Sequence, residues 1–398
     1  MNNYVWKIYL LAFGGFLAGT SEFVIAGILE VIANDLKITL SAAGQLVTVF
    51  SLVFAFGTPL LVAATSRIER KTLLMITLLV FAVGNFLPAL DHRVGVLLVS
   101  RVILAVCSGV FTVAALTLAS HLAPPEKRGS AIASIIMGFS SSLVIGVPLG
   151  RVIANFFDWH DLFIGIGIGG IMIMLGISKW IPRLDGQKAT PLSIQLSVLK
   201  DRRVSSALLV TFFWIMGYSI VYTYISPYLL THAHMDPAWV SAGLFAFGIF
   251  SLIGSRIGGY GADKWGAPTT LITSLLLHVL VLVLFAFVQP PLALVLTIMM
   301  LWSASAWATA PVQQFRLITL APGASEIVLS LNTSILQAGM AAGAAVGGAI
   351  VNSLSVIYVG WAGAISVLVA CLTALYSLRI GTKSNPQLVY DATEERVI

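Results

Sequence analysis

Two ionisable residues stand where hydrocarbon is the expected solvent. Glu22 is the one of 16 acids that lies deep inside a long apolar run, and Arg101 lies inside another. Ionisable groups at such depth are costly and mark relays or solute pathways. A carboxyl there takes a proton against apolar walls and gives it up beside a cation. Glu22 is about eight residues, roughly 12 Å, from the outer end of its run; Arg101 is about six residues, roughly 9 Å, into its own. In antiparallel helices the two depths match. The pair is read either as a proton-handling site or as a permanent salt bridge. Gly15, Ala18, Gly19 and Ala26 leave room beside Glu22 for a helix, water or a solute, and Glu30 falls at the outer interface.

A second set is aromatic. Trp214, Tyr218 and Tyr222 recur every four residues and share a helical face, with Tyr224 and Tyr228 close by. Such a face can stack on a flat ring and hydrogen-bond its edge; ordinary helix packing produces the same pattern. Ser303, Trp307 and Gln314 follow a rough stripe with a kink expected at Pro311. Asn332 and Gln337 are further buried polar candidates, each able to bind a solute or to pair with nearby backbone. His278 is read as a neutral, hydrogen-bonded histidine. Neither the two cysteines nor the six histidines have the spacing of a metal site, so no metal is expected.

The elements that must hold these residues are membrane helices. Of 398 residues, 58% are hydrophobic and 10% charged, far from the roughly 25% charged residues of soluble domains. A net charge of +6 would suit nucleic acid, but the basic residues form no patch and sit in short loops. Runs of about 20 apolar residues span a bilayer. Twelve are found, at roughly 6–30, 42–64, 72–90, 95–119, 130–153, 163–181, 205–229, 238–258, 269–288, 291–313, 327–350 and 356–378. Backbone polar groups cannot go unpaired in lipid, so these are helices. The first is read as a span, not a cleaved signal. With the N-terminus inside, 18 of the 22 basic residues fall on inner segments, which places both termini in the cytoplasm. The polar, basic stretch 182–204 divides the chain into bundles at 1–181 and 205–380, and 381–398 forms a polar tail.

The halves echo each other. Leu122-Ala123-Pro124 returns as Leu320-Ala321-Pro322, and Gly150 returns as Gly348, both at a shift of 198. Ser66-Arg67-Ile68-Glu69 aligns with Asp263-Lys264-Trp265-Gly266 at 197. Paired halves suit a carrier that rocks two bundles about a midplane site. No phosphate loop is present, so direct ATP use is not expected, and no enzyme motif survives.

Here a resemblance becomes specific. Gly259-x-x-x-Asp263-Lys264-x-Gly266 resembles the loop motif of the major facilitator superfamily. The first-half loop, with Arg67, Arg70 and Lys71, keeps the basic cluster but lacks the Asp and both Gly. Gly138 with Gly146-Val147-Pro148-Leu149-Gly150 resembles the glycine–proline motif of the drug:proton antiporter branch. Trp159-His160-Asp161-Leu162-Phe163 is similar to a following Trp-Arg-x-x-Phe pattern, with His for Arg. Thr20-Ser21-Glu22-Phe23 looks like sugar- and purine-efflux members. Ser41-Ala42-Ala43-Gly44-Gln45-Leu46, Ala310-Pro311-Val312-Gln313-Gln314 and Leu331-Asn332-Thr333-Ser334 are most similar to bacterial purine base and nucleoside efflux pumps.

The resemblance implies an all-α membrane protein of two pseudo-symmetric six-helix bundles, with spans 1, 4, 7 and 10 lining a cavity. It implies proton-coupled efflux of purine bases, nucleosides or their analogues through a bacterial cytoplasmic membrane, with sugar or drug efflux as the alternative. A channel or sensor is a different class, against which stand the repeated halves and the lack of an appended soluble domain. The expected partners are a small solute, protons and the bilayer; the energy source is a proton gradient, with no cofactor. A monomer is expected. Gly339, Gly343 and Gly347, whose spacing could serve dimerisation, are read as letting their helix pack against the other half.

Overall fold

In the computed structural model, residues 4–91, 93–124, 127–184, 196–287 and 292–381 are described, apart from the side chains of 326 and 381. The tail, the central part of the linker (185–195), His92, Pro125 and the Gln289-Pro290-Pro291 breaker lie outside them. Twelve helices among the described residues are long and apolar enough to cross a membrane. They are α1 Val5–Asp35, α2 Leu40–Ala64, α3 Arg70–Leu90, α4 Val94–Leu122, α5 Arg128–Phe156, α6 Trp159–Trp180, α7 Arg202–Tyr222, α8 Pro237–Trp265, α9 Ala267–Phe287, α10 Leu292–Leu320, α11 Ser325–Ser353 and α12 Val359–Gly381. Leu60, Ile76, Val83, Leu276, Leu280, Ile365 and Leu372 are exposed around the outside. In water that surface would be untenable; against lipid it is the solvated face. The protein is a multi-pass membrane protein.

Local chemistry sets the ends. Thr39, Asp158, Asp201 and Asp236 cap α2, α6, α7 and α8, each side chain accepting from a backbone N–H of the first turn. Pro237 opens α8, where its missing N–H is harmless. Gly266 closes α8 at φ +84°, a left-handed value that a side chain resists. The cap at Asp201 starts α7 before position 205, so the last residues assigned to the linker form its first turn.

The packing repeats at an interval of six helices. α1 packs on α5, α2 on α4 and α3 on α6; correspondingly α7 packs on α11, α8 on α10 and α9 on α12. Cross-contacts join the halves: α2 with α11 and α5 with α8, which are mates under that interval, and α1 with Ile225–Thr231 of the second half. Taking the end that carries the chain's start as the near end, α8 meets α5 over its far stretch, Ser142–Phe156, rather than over Arg128–Ser141. The far-end contacts are close: Gly248 lies against the Leu143 carbonyl and Val144, and Gly27 against Val147 and Leu244.

The small residues of α11 correct one expectation. Gly339, Gly343 and Gly347 sit against the Phe212, Met216 and Ile220 carbonyls of α7, within their own half rather than against the other. Their backbone-to-backbone approach occupies the face a dimer would need.

Three helices break their regular pattern. α1 leaves helical geometry at Ile28 (φ −125°, ψ 18°). α5 widens into a π-turn at Ser142–Gly146, a form concentrated at functional sites. α7 stops at Tyr222 and resumes as a short helix, Ile225–Thr231.

Candidate functional site

Glu22 is 5% exposed and Arg101 completely buried. α1 carries Glu22 on a stretch buried on every side, from Leu17 to Leu29. Arg101 Nη1 donates to the Ser21 carbonyl at 2.8 Å, and its guanidinium lies 4.6 Å from the Phe50 ring centroid, a cation–π contact that tolerates a dry site. Arg101 thus reaches the backbone next to Glu22, yet no hydrogen bond or ion pair joins the two side chains among the described residues. The two are neighbours without a direct bond. Glu22 Oε1 instead accepts from Gln337 Nε2 of α11 at 2.9 Å, a bond from one half to the other. Glu22 Oε2 and Gln337 Oε1 have no partner.

The aromatic candidates come together in the second half. Tyr218 and Tyr222 stack at 5.0 Å, Trp302 approaches Tyr218 at 5.7 Å, and Trp307 meets its edge at 6.0 Å. Trp214, Tyr218 and Tyr222 are buried, in one apolar cluster with Phe23 and Ala26 of α1. Trp214 Nε1, Tyr218 Oη and Trp307 Nε1 make no hydrogen bond of ordinary geometry. Buried polar groups are normally satisfied; Trp307 faces the Tyr218 ring edge, and Trp214 Nε1 lies in the same cluster. His278 is neutral at its bonded nitrogen: Nε2 accepts from Trp302 Nε1 at 3.0 Å, which fixes the indole of the wall.

The remaining candidates separate. Gln314 is exposed and not brought to the wall; its neighbour Gln313 is the buried one, donating to the Ala207 carbonyl at 2.5 Å and to Thr211 at 3.1 Å. One residue is about 100° of helix, enough to turn the side chain away. Asn332 accepts from Thr211 at 2.7 Å and belongs to that polar knot. Ser303 donates to the Phe247 carbonyl at 2.5 Å, joining α10 to α8.

Among the loop-motif residues, Arg67, Asp263 and Lys264 are exposed at the near end, Lys71 is half-buried and Gly259 lies in the last turns of α8. Arg70 is buried, and its backbone N–H donates to the Leu184 carbonyl at 2.8 Å. In α5, Gly146 lies against Thr20 and Gly150 against Val24, with Pro148 buried between them. The glycine–proline stretch therefore seats α5 on the part of α1 that carries Glu22.

One site was not anticipated. Arg151 of α5 is ion-paired with Glu30 of α1 and donates to the Gly27 carbonyl at 3.1 Å. The break at Ile28 interrupts the helix around that carbonyl, and Arg151 supplies a donor there. The signal in the sequence was an arginine inside a span, which needs a counter-charge.

A family model, the Major Facilitator Superfamily, matches residues 11–327. The chain belongs to the major facilitator superfamily. It is 46% identical over 370 residues to an uncharacterised MFS-type transporter, YbcL, of Bacillus subtilis (strain 168), covering 93% of this chain and 95% of that protein. It is 30% identical to the inner membrane transport protein YdhP of Escherichia coli (strain K12), covering 94% and 96%. A bacterial homolog of the human lysosomal transporter Spinster, in an inward-facing unoccupied conformation, shares the fold at a TM-score of 0.75 and 14% identity, covering 97% of this chain and 99% of that one. A D-xylose–proton symporter does so at 0.75 and 16%, covering 93% and 97%. This superfamily member is thus a small-molecule transporter and not an enzyme, with two six-helix bundles joined through α2 and α11, through α5 and α8, and by the Glu22–Gln337 hydrogen bond.

Proposed function

We propose that this transporter is a proton-coupled antiporter that exports flat, ring-containing solutes, purine bases or nucleosides and their analogues, from a bacterial cytoplasm. The observation that carries the reading is the placement of Glu22: a buried carboxyl at the junction of the halves, with one oxygen unpartnered, beside Arg101. A carboxyl so placed can exchange a proton with whichever side is open, while Arg101 stabilises its ionised form. The wall of Trp214, Tyr218, Tyr222 and Trp307 suits a planar solute with acceptor atoms on its edge, because both indoles are donors only. Apolar and aromatic groups prevail there, which favours flat solutes over sugars.

The Lys/Arg distribution puts the near end and both termini in the cytoplasm. The far-end contacts of α5 with α8 then close the outer side. Similarity to an inner membrane transport protein supports a bacterial cytoplasmic membrane as the location.

The test is uptake into everted vesicles of purines, sugars and cationic dyes under an imposed pH gradient, with wild type beside Glu22→Gln. Gradient-driven accumulation of purines that Glu22→Gln abolishes is the expected result. Accumulation of sugars or dyes alone would replace the solute class and keep the mechanism; accumulation indifferent to Glu22→Gln would overturn the mechanism.

A further inference from the structure

The Glu22–Gln337 hydrogen bond is, among the described residues, the one side-chain hydrogen bond that joins the first six helices to the last six. Every other contact named across that boundary is apolar or made by small residues: Gly27 with Leu244, Gly248 with Leu143 and Val144, Gly44 with Tyr224, Gly348 with Ser41. Contacts of that kind do not change when a proton arrives. The acid–amide contact does.

We infer that Gln337 is the positioning residue through which the second half senses the proton on Glu22, and that this contact converts a change of charge into movement of the halves. The inference rests on the reading of Glu22 as the proton carrier. When the carboxyl is ionised, Gln337 Nε2 donates to Oε1, and the two atoms left over, Glu22 Oε2 and Gln337 Oε1, are both acceptors. Neither can satisfy the other. A proton bound at Oε2 forms an O–H bond and breaks none. It creates the one donor that Gln337 Oε1 lacks, and the contact closes into a two-bond acid–amide ring. Loss of that proton to water removes the second bond. An amide does not titrate, so it responds to its neighbour's proton without one of its own.

The surroundings leave this contact as the responsive one. Arg101 on α4 is the charged group beside Glu22. Residues 46–54 of α2, 138–146 of α5, 163–177 of α6 and 332–342 of α11 contain no titratable side chain. α7 and its short continuation bring the phenols Tyr218, Tyr222, Tyr224 and Tyr228, the last two donating to the Ala344 and Phe285 carbonyls. Arg151 and Glu30 pair with each other about two turns further along. Arg101 belongs to the same half as Glu22 and moves with it. Gln337 does not.

The direction follows. The bond exists in the arrangement whose far end is closed, so protonation stabilises that arrangement and deprotonation frees the halves to part there. For an exporter this is the useful sign: the protonated carrier returns to face the cytoplasm, and the deprotonated, solute-loaded carrier turns outward.

Spin labels on cysteines at Thr72 and Thr269, both exposed at the near end, with Cys107 and Cys371 replaced, report the separation of the halves in lipid nanodiscs by pulsed dipolar spectroscopy. In the otherwise wild-type protein the near-end distances lengthen as pH falls from 9 to 5. Gln337→Leu and Gln337→Met reduce the amplitude of that shift at least fivefold and uphill transport at least tenfold. Gln337→Glu, which keeps a polar partner, retains the shift but moves its midpoint. An unchanged amplitude and midpoint in the Leu, Met and Glu variants would overturn the role of Gln337. A wild type whose distances ignore pH would overturn the proton reading of Glu22 itself, a separate result.

Discussion

The two halves repeat one another helix for helix and differ in what they bury. The first half holds Glu22, Arg101 and Arg151 within its spans, with Glu30 as the counter-charge of Arg151. At the matching level the second half holds Trp214, Tyr218, Tyr222, Trp302 and a neutral His278, and its buried cation, Arg316, donates to Ser377 towards the near end. The difference shows how little the fold dictates its contents. Because each helix satisfies its own backbone, the interior of one copy can specialise in charge and that of the other in ring surface. The proposed export of a solute against a proton draws on both.

The sharpest way to break that division is Glu22→Gln. The change keeps shape and burial and removes the exchangeable proton; gradient-driven export measured in proteoliposomes should fall at least 100-fold while solute binding persists. Removing ring surface should act on affinity instead. Trp214→Ala should raise the half-saturating solute concentration roughly 10-fold, as loss of one stacking partner worth about 1–3 kcal/mol implies, and leave the ratio of transport with and without a pH gradient unchanged. A matching change in that ratio would show that the halves share the coupling work. Arg151→Leu removes a donor from the Gly27 carbonyl and leaves the partly exposed Glu30 without its partner, so melting in detergent should fall by a few degrees, and Glu30→Gln in the same chain should restore part of it. Gln314→Ala should do least, altering transport by less than about twofold, whereas Gln313→Ala should lower stability through the lost bonds to Ala207 and Thr211.

Much of this was legible before any coordinates. Twelve apolar runs, their repeat and the burial of Glu22 follow from hydropathy and from the cost of charge in lipid, which act on each residue nearly alone. The aromatic face of α7 was readable for the same reason: one helix's periodicity suffices. Pairings between helices were not. Which buried polar group meets Glu22 depends on how α11 is rotated about its axis, and nothing local in Leu336-Gln337-Ala338 records that rotation. The Arg151–Glu30 pair shows a milder case, since the need for a partner was visible and its identity was not. Gln313 and Gln314 show the limit: adjacent, chemically identical, and separated only by one step of helix rotation. The glycines of α11 misled because a small-residue stripe announces close approach without naming the helix that approaches.

The glycine seats at the far end have a practical corollary. Gly248 rests on bare backbone of α5, so the two bundles touch there like plates with no teeth. A single bulky indole introduced at position 248 would act as a doorstop, propping the far mouth ajar while sparing the helices' own packing. Such a jammed carrier would be an immobile target for raising conformation-specific antibodies and for imaging the pose open at the far end.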